Sequence, residues 1–388
     1  MGRAETRLGS GSRAAARITR LLGAGACMGG AALAWGLVEA EAYVLRSRTV
    51  AVEWPRRAQR AGEQPKGKES GGDEAGYPGH QPLRVLHLSD LHLTARNRRR
   101  SAWTASLARL EPDLIVATGD FIAAPDALDI LARTLAPFEG TPGVFVYGSN
   151  DYFAPRPRNP FDYLKSDSRP GARRLAQQDT LPTAELTALL EGLGWLNLNN
   201  ARGRVHAAGW TIDCVGVDDP HIDRDAYPGL YACGVERVAD AAGKHANACG
   251  GAVSRETGRA GDNQAGIGIR AGADLRVGVT HAPYVRVLDE MAADGCELIF
   301  AGHTHGGQLG IPGYGAIITN SDLPRQFASG TFAWPAGERA DVIRYDGGLA
   351  TRPGSAAVTV SAGLGTSPYV PIRINRRPEA VLLNVVAA

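Results

Sequence analysis

Cysteine is scarce in this chain of 388 residues, charge of one sign is not in excess, and no segment repeats another. Five cysteines, an odd number without a Cys-x-x-Cys pair, exclude a zinc ribbon and a dithiol redox motif. At this length the chain buries a core large enough to need no disulfide framework. Cys27 lies in an apolar run, and Cys214 and Cys296 sit in strand-like or helix-end contexts. Cys233 and Cys249 share one polar segment and pair only in an oxidising compartment, with two free thiols as the alternative. With 42 basic against 40 acidic residues, total charge gives no reason to expect a nucleic-acid partner.

One long uncharged stretch stands out. Residues 1–20 form a basic tail carrying Arg3, Arg7, Arg13, Arg17 and Arg20, and residues 21–38 are uncharged and rich in Leu, Ala and Gly. That length suits a single transmembrane helix or signal anchor, and a cleaved signal ending at Ala40-Glu41-Ala42 competes with it. Arginines before the span and Glu39 and Glu41 after it predict a cytoplasmic N-terminus and an extracytoplasmic remainder. Residues 39–82 read as a juxtamembrane segment and solvated linker, because Arg56 to His80 contains almost no large apolar residue. The folded domain is then expected over 83–386, and removal of residues 1–46 is expected to spare turnover.

Within 83–386, short apolar strands alternate with helical periods, which argues for a layered α/β domain. Strands are predicted at Val85–Leu88, Leu114–Thr118, Val144–Tyr147, Ile212–Val217, Leu275–Thr280 and Leu298–Ala301, with Val342–Tyr345, Ala357–Ser361 and Val381–Val386 completing a second sheet. Trp103, Leu107 and Leu110 recur at helical spacing. A helix with a Ser/Thr-type cap and a leucine stripe at 186, 189, 190 and 193 is predicted near Thr183–Leu193. Residues 227–272 show no sustained period and are expected to be a flexible insertion.

Polar residues gather just after the apolar strands, where strand ends in α/β sheets open onto a ligand crevice. Val85–Leu88 runs into Asp90-Leu91-His92, whose two polar side chains leave an extended chain on one side. Leu114–Thr118 runs into Gly119-Asp120, and Val144–Tyr147 into Gly148-Ser149-Asn150-Asp151. His281 follows one later strand, and Gly302-His303-Thr304-His305 follows another. Each piece alone has an ordinary structural explanation, such as a turn aspartate or a hydrogen-bonded histidine. Together they form a mixed oxygen and nitrogen donor set, suited to Mn, Fe, Co, Ni or Zn rather than Ca or Mg.

This order of motifs resembles the calcineurin-like metallophosphoesterases. The resemblance implies a β-sandwich flanked by helices and two divalent ions, one on Asp90, His92 and His305 and one on Asn150, His281 and His303, with Asp120 shared. It implies hydrolysis of a phosphoester by a water or hydroxide between the ions. The stretches Gly302-His303-Thr304-His305-Gly306-Gly307-Gln308 and Ser361-Ala362-Gly363-Leu364-Gly365 resemble the bacterial membrane-associated branch, which points to UDP-diacylglucosamine-like and other phosphodiester or pyrophosphate substrates. Here the chain departs from the family's Gly-Asn-His-Asp/Glu pattern: Ser149 stands at the usual Asn and Asn150 at the usual His. Asn150 is the better oxygen donor, with Ser149 the alternative, and proton donation falls to Asp151, to water or to His221. His221 follows Asp218-Asp219-Pro220 and is either a substrate contact or a turn residue. His87, on the opposite alternation from Asp90, is expected in the core. A phosphatase or nucleotide phosphodiesterase of soluble substrates, or a metal-binding scaffold without turnover, are the competing functions.

Overall fold

Two sheets are stacked face to face, and helices cover their outer faces. The computed structural model describes residues 27–52, 81–156, 169, 175, 177–229, 235–239, 245–248, 273–335, 349–350, 355–367 and 370–387. The first sheet is built from β1 (Val44–Val52), β2 (Leu83–Leu88), β3 (Leu114–Ala117), β4 (Gly143–Phe145) and β5 (Leu196–Asn197), together with two strands from the far end of the chain. The second contains β6 (Ala201–Ala207), β7 (Trp210–Gly216), β8 (Val235–Ala239), β9 (His245–Ala248), β10 (Leu275–Val279) and β11 (Leu298–Ala301). A two-stranded hairpin, β12 (Gly310–Ile311) with β13 (Gly315–Ala316), stands apart. The remaining strands are β14 (Gly330–Pro335), β15 (Leu349–Ala350), β16 (Ser355–Val360) and β17 (Glu379–Ala387).

Strand order is β15-β1-β17-β2-β3-β4-β5 in one sheet and β14-β16-β11-β10-β7-β6-β8-β9 in the other. Alternation along each strand decides which layer a side chain enters. On β2, Leu83 and Val85 face the opposite sheet, where they share a core with Val116, Cys214, Val277 and Phe300. Leu86 and Leu88 face outward, under the helices Leu128–Leu135 and Thr183–Gly192. Helix Val285–Ala293 covers the outer face of the second sheet through Val287, Leu288 and Met291. Each fully buried Val or Leu contributes roughly 1.5–3 kcal/mol. The expected α/β layering is therefore observed, with β2–β3–β4 parallel in one sheet and β7–β10–β11–β16 parallel in the other.

Several expectations are corrected. The domain does not begin at Leu83, because β1 lies inside the first sheet, parallel to both β15 and β17. Its polar appearance comes from Arg46, Ser47 and Arg48, which face solvent, whereas Val50 and Val52 are fully buried. Residues 53–80 of the expected linker lie outside the described residues. The insertion is not a loop throughout, since β8 extends the second sheet by pairing with β6 and β9 pairs with β8. Thr183 does not cap its helix; its hydroxyl donates to the Asp151 carbonyl at 2.7 Å. The strand predicted at Val342–Tyr345 lies outside the described residues, as do Cys233 and Cys249.

No helix among the described residues is long and apolar enough to cross a membrane. Residues 27–39 are helical, and residues 21–26 of the expected span lie outside the described residues. The end of this N-terminal helix is fastened to the domain. The Gly36 carbonyl accepts the Arg373 N–H at 3.0 Å, and the buried Glu39 carboxylate accepts the N–H groups of Asn375 and Arg376 at 2.9 and 2.7 Å. Residues 36–52 are thus part of the fold, and truncation at residue 46 removes a sheet strand's first half as well as the helix. Replacing Glu39 by Ala strands two amides and is expected to cost about 1–3 kcal/mol in urea unfolding. Glu41→Ala, which loses one hydrogen bond to the Tyr43 hydroxyl, is expected to change stability by less than about half as much.

Candidate metal centre

The five strand ends singled out above meet at one edge of the sandwich, three from the first sheet and two from the second. Backbone bonds lock them together: Asp90 N–H to Gly119 O, His92 N–H to Asp120 O, and Gly302 N–H to His281 O, at 2.8–3.0 Å. Asp90, His92, Asp120, His303 and His305 all have φ between 41° and 67°. Non-glycine residues rarely adopt this left-handed conformation, so each strand end turns its side chain into the edge at a local cost that the surrounding packing offsets.

Two donor groups result. Ligand atoms of Asp90, His92 and His305 lie within 4.8 Å of one another, and so do those of Asp90, Asp120 and His281; either group could hold a metal ion. Asp120 Oδ2 lies 3.3 Å from His92 Nε2 and 3.5 Å from His281 Nε2, which places this oxygen between the two groups. Asn150 donates its backbone N–H to Asp120 Oδ1 and its side-chain N–H to Oδ2, at 2.8 and 2.9 Å. His303 stands beside His281, with Nδ1 3.3 Å from His281 Nε2. All seven residues named from the sequence are brought together.

Hydrogen bonds on the outer side of each ring determine what faces inward. His281 Nδ1 lies 2.6 Å from the Thr118 carbonyl, so Nδ1 carries a proton and Nε2 faces inward, 3.5 Å from Asp120 Oδ2. By the same reasoning His303 Nε2, 3.2 Å from the Asn320 carbonyl, is protonated and Nδ1 presents its lone pair toward His281. His92 Nε2 and His305 Nε2 face each other at 3.3 Å with the rings stacked; Arg373 donates to His305 Nδ1 at 3.4 Å, so the neutral His305 ring carries its proton on Nε2 and turns it toward His92. Asp90 Oδ1 is buried with no hydrogen-bond partner, whereas Oδ2 accepts from the Ser89 hydroxyl and the His303 N–H at 2.6 and 3.0 Å. The unpartnered Asp90 Oδ1, Asp120 Oδ2 and the ring nitrogens gathered around them form a mixed oxygen and nitrogen donor set that fits a borderline divalent metal.

Electrostatics agree. Burial pushes His92 down to about 4 and His303 and His305 well below the ordinary value, so these three rings are neutral donors. His281 is held well above its ordinary value: burial opposes this, but the charge and hydrogen bond of Asp120, with Asp219 and Asp90, outweigh it. The proton they attract marks where positive charge belongs. Asp90 is raised to about 6 by burial, with Asp120 adding to the rise.

Asp151 does not fit the expected part of proton donor. Its carboxylate accepts three backbone N–H groups, from Asp120 and Phe121 at 2.7 Å and Gly148 at 3.0 Å, and is fully buried. Burial and the Asp120 charge raise it to about 8, although those amides pull the other way. It positions the Asp120 loop. His221 sits in a turn capped by Asp219, and its buried ring lies against His303 with centroids 4.3 Å apart and Nδ1 3.1 Å from the Tyr284 hydroxyl.

Other residues were not singled out from the sequence. Arg373, fully buried, donates to the carbonyls of Ala362 and Gly363 and, at 3.3 Å, His305. Arg100 holds the Leu91 and His92 carbonyls. Both arginines sit in basic clusters that read as solvated surface. His87 is in the inter-sheet core as expected, its ring edge-on to Phe300. Its Nε2 is 2.9 Å from the Thr118 hydroxyl, which donates to Ser89, which in turn donates to Asp90. Thr118 therefore accepts from His87, and the ring is neutral.

Residues 83–219 match the family model described as calcineurin-like phosphoesterase. Asp90, His92, Asp120 and Asn150 lie in that range, and the three later histidines lie beyond it. No curated protein matches the chain. Fold, donor set and family match define a metal-dependent hydrolase of phosphoesters. Over residues 83–219 the chain is similar to calcineurin-like phosphoesterases.

A Cβ on Gly148 would sit 2.3 Å from Asp120 Oδ1 and 2.6 Å from His281 Cε1. Gly148→Ala is therefore expected to weaken metal affinity by about 10–100-fold, measured by titration with Mn²⁺, while Cys214→Ala leaves it unchanged. His87 has a folded pKa near 3 against 6.5 in the unfolded chain. Acid thus protonates the unfolded state first, and this stability is present above pH 6.5 and lost as pH falls toward 3. Between pH 6 and 4, wild type is expected to lose up to about 1.4 kcal/mol per pH unit more than His87→Gln in urea unfolding.

Proposed function

We propose that the protein hydrolyses a phosphodiester or pyrophosphate with two divalent ions drawn from Mn, Fe, Zn, Co and Ni. Asp90, His92 and His305 hold the first, Asn150, His281 and His303 the second, and Asp120 bridges them. The observation that carries this reading is the convergence of the ring nitrogens of His92, His281 and His305 on Asp90 Oδ1 and Asp120 Oδ2. When bound, the ion pair supplies Lewis-acid activation of water and neutralises charge on the phosphoryl oxygens, each worth several kcal/mol. Asn150 offers its amide oxygen after a half-turn of its terminal torsion, which exchanges two nearly isosteric ends.

The chain's own residues do the positioning. Asp151 anchors the Asp120 loop, Arg100 and Arg373 clamp the carbonyls behind His92 and His305, and the Thr118–Ser89 relay orients Asp90. His221, buried with its ring against His303, is the residue proposed to contact substrate or its leaving group. The Gly302–Gln308 and Ser361–Gly365 motifs support a lipid-linked, UDP-diacylglucosamine-like substrate; soluble nucleotides and phosphomonoesters are the second reading. The arginine-flanked N-terminal run supports a single-pass attachment with the catalytic domain outside the cytoplasm.

Stripping metal with chelator is expected to abolish hydrolysis of a chromogenic phosphodiester, and Mn²⁺ to restore it. Asp120→Asn is expected to reduce kcat on the order of 100-fold or more. Wild type inert with every metal tried would favour a scaffold. Preference for a lipid-linked pyrophosphate over nucleotide and monoester substrates, read as kcat/KM, tests the substrate class.

A further inference from the structure

Among the described residues, the exposed large apolar side chains are confined to three short segments. Met28, Leu33, Trp35, Leu37 and Val38 stand on the N-terminal helix, with Trp35 62% exposed. Leu45 opens β1, and Ile311 (48%) and Tyr314 (57%) form the tip of the β12–β13 hairpin. Soluble surfaces scatter such residues singly, whereas a contiguous patch marks an interaction site. The helix and the hairpin turn border one cleft, lined by Trp35, Val38, Glu39 and Ala42 on one side and by Pro312, Ile374, Asn375 and Arg377 on the other.

The hairpin is built to hold its shape. Tyr314 N–H donates to the Ile311 carbonyl at 3.0 Å across a turn with Gly313 at φ 78°. The Arg376 guanidinium lies against Gly310 and donates to the Gly306 carbonyl at 2.7 Å, tying the hairpin to the turn that carries His305. This face carries exposed arginines beside two carboxylates that are not exposed, buried Glu39 and half-buried Glu41. Exposed Arg325 lies 4.2 Å over the Tyr314 ring and exposed Arg377 edges the cleft, while Glu39 is buried on backbone amides and Glu41 engages the Tyr43 hydroxyl. The Trp35 indole donates to Glu39 at 3.0 Å, so its ring is pinned with its apolar body outward.

The geometry points to a second lipid contact, independent of any membrane span. The hairpin tip and the exposed face of the N-terminal helix together dock on an anionic bilayer surface and hold the His303–His305 loop beside the headgroups. An apolar centre with an arginine rim matches the acyl–headgroup boundary of anionic lipid. A symmetric second copy would instead bring the same arginines against each other. The docking stands without the phosphoesterase reading, which only gives it a purpose.

Hydrogen exchange of the full chain tests this on vesicles of phosphatidylcholine with phosphatidylglycerol. Amides of 309–316 are expected to slow on the order of tenfold or more on anionic vesicles, less so in high salt and on pure phosphatidylcholine. Ile311→Asp with Tyr314→Asp should remove that protection while leaving hydrolysis of a soluble chromogenic substrate unchanged. Protection of the N-terminal helix alone, with 309–316 exchanging as in solution, overturns the proposal. A concentration-dependent dimer that the double variant dissolves overturns it too. Loss of soluble-substrate turnover in wild type would strike the proposed function and leave the docking result untouched.

Discussion

Buried carboxylate oxygens and imidazole nitrogens crowded together away from water are the constraint around which this fold is organised. In a desolvated site such groups repel, and only positive charge at their centre relieves them. Asp90 Oδ1 has no partner, His92 faces His305, and His303 faces His281. Every neighbouring feature keeps them there. Five of the residues accept left-handed backbone, and Gly363 lets the chain pass so close to Asp90 that a Cβ would lie 2.6 Å from its side chain.

That arrangement needs both sheets. Three strand ends come from the first and two from the second, so the distances depend on the inter-sheet core of Val85, Val116, Val277 and Phe300. Asp151 illustrates the economy of the loops. A carboxylate with three amide donors stiffens the bend that aims Asp120, and for that reason it is unavailable for chemistry.

A line of hydrogen bonds also runs from the N-terminal helix to the site. Gly36 and Glu39 hold residues 373–376, and from there Arg373 reaches the His305 carbonyl and Arg376 the Gly306 carbonyl. Whatever the helix binds is mechanically close to a candidate ligand. The same segment supports the hairpin whose apolar tip is exposed, so surface docking and site geometry share one short stretch of chain.

From the sequence alone, the strands that end in Asp90, Asp120, Asn150, His281 and His303 could be read, because apolar runs followed by polar donors are a local pattern. The layered α/β class and the seven donors followed from it. Local pattern did not reveal β1, whose partners β15 and β17 lie some three hundred residues away and whose exposed arginines mimic a linker. Nor did it separate Arg373 and Arg100 from solvated surface, or Asp151 from a proton donor, since a side chain's role depends on which backbone groups surround it. Sequence determined which chemical groups were present and at which strand ends; tertiary structure decided how the rings are turned, because only packing between the sheets brings distant partners such as the Thr118 carbonyl, the Asn320 carbonyl and Arg373 onto the outer sides of His281, His303 and His305.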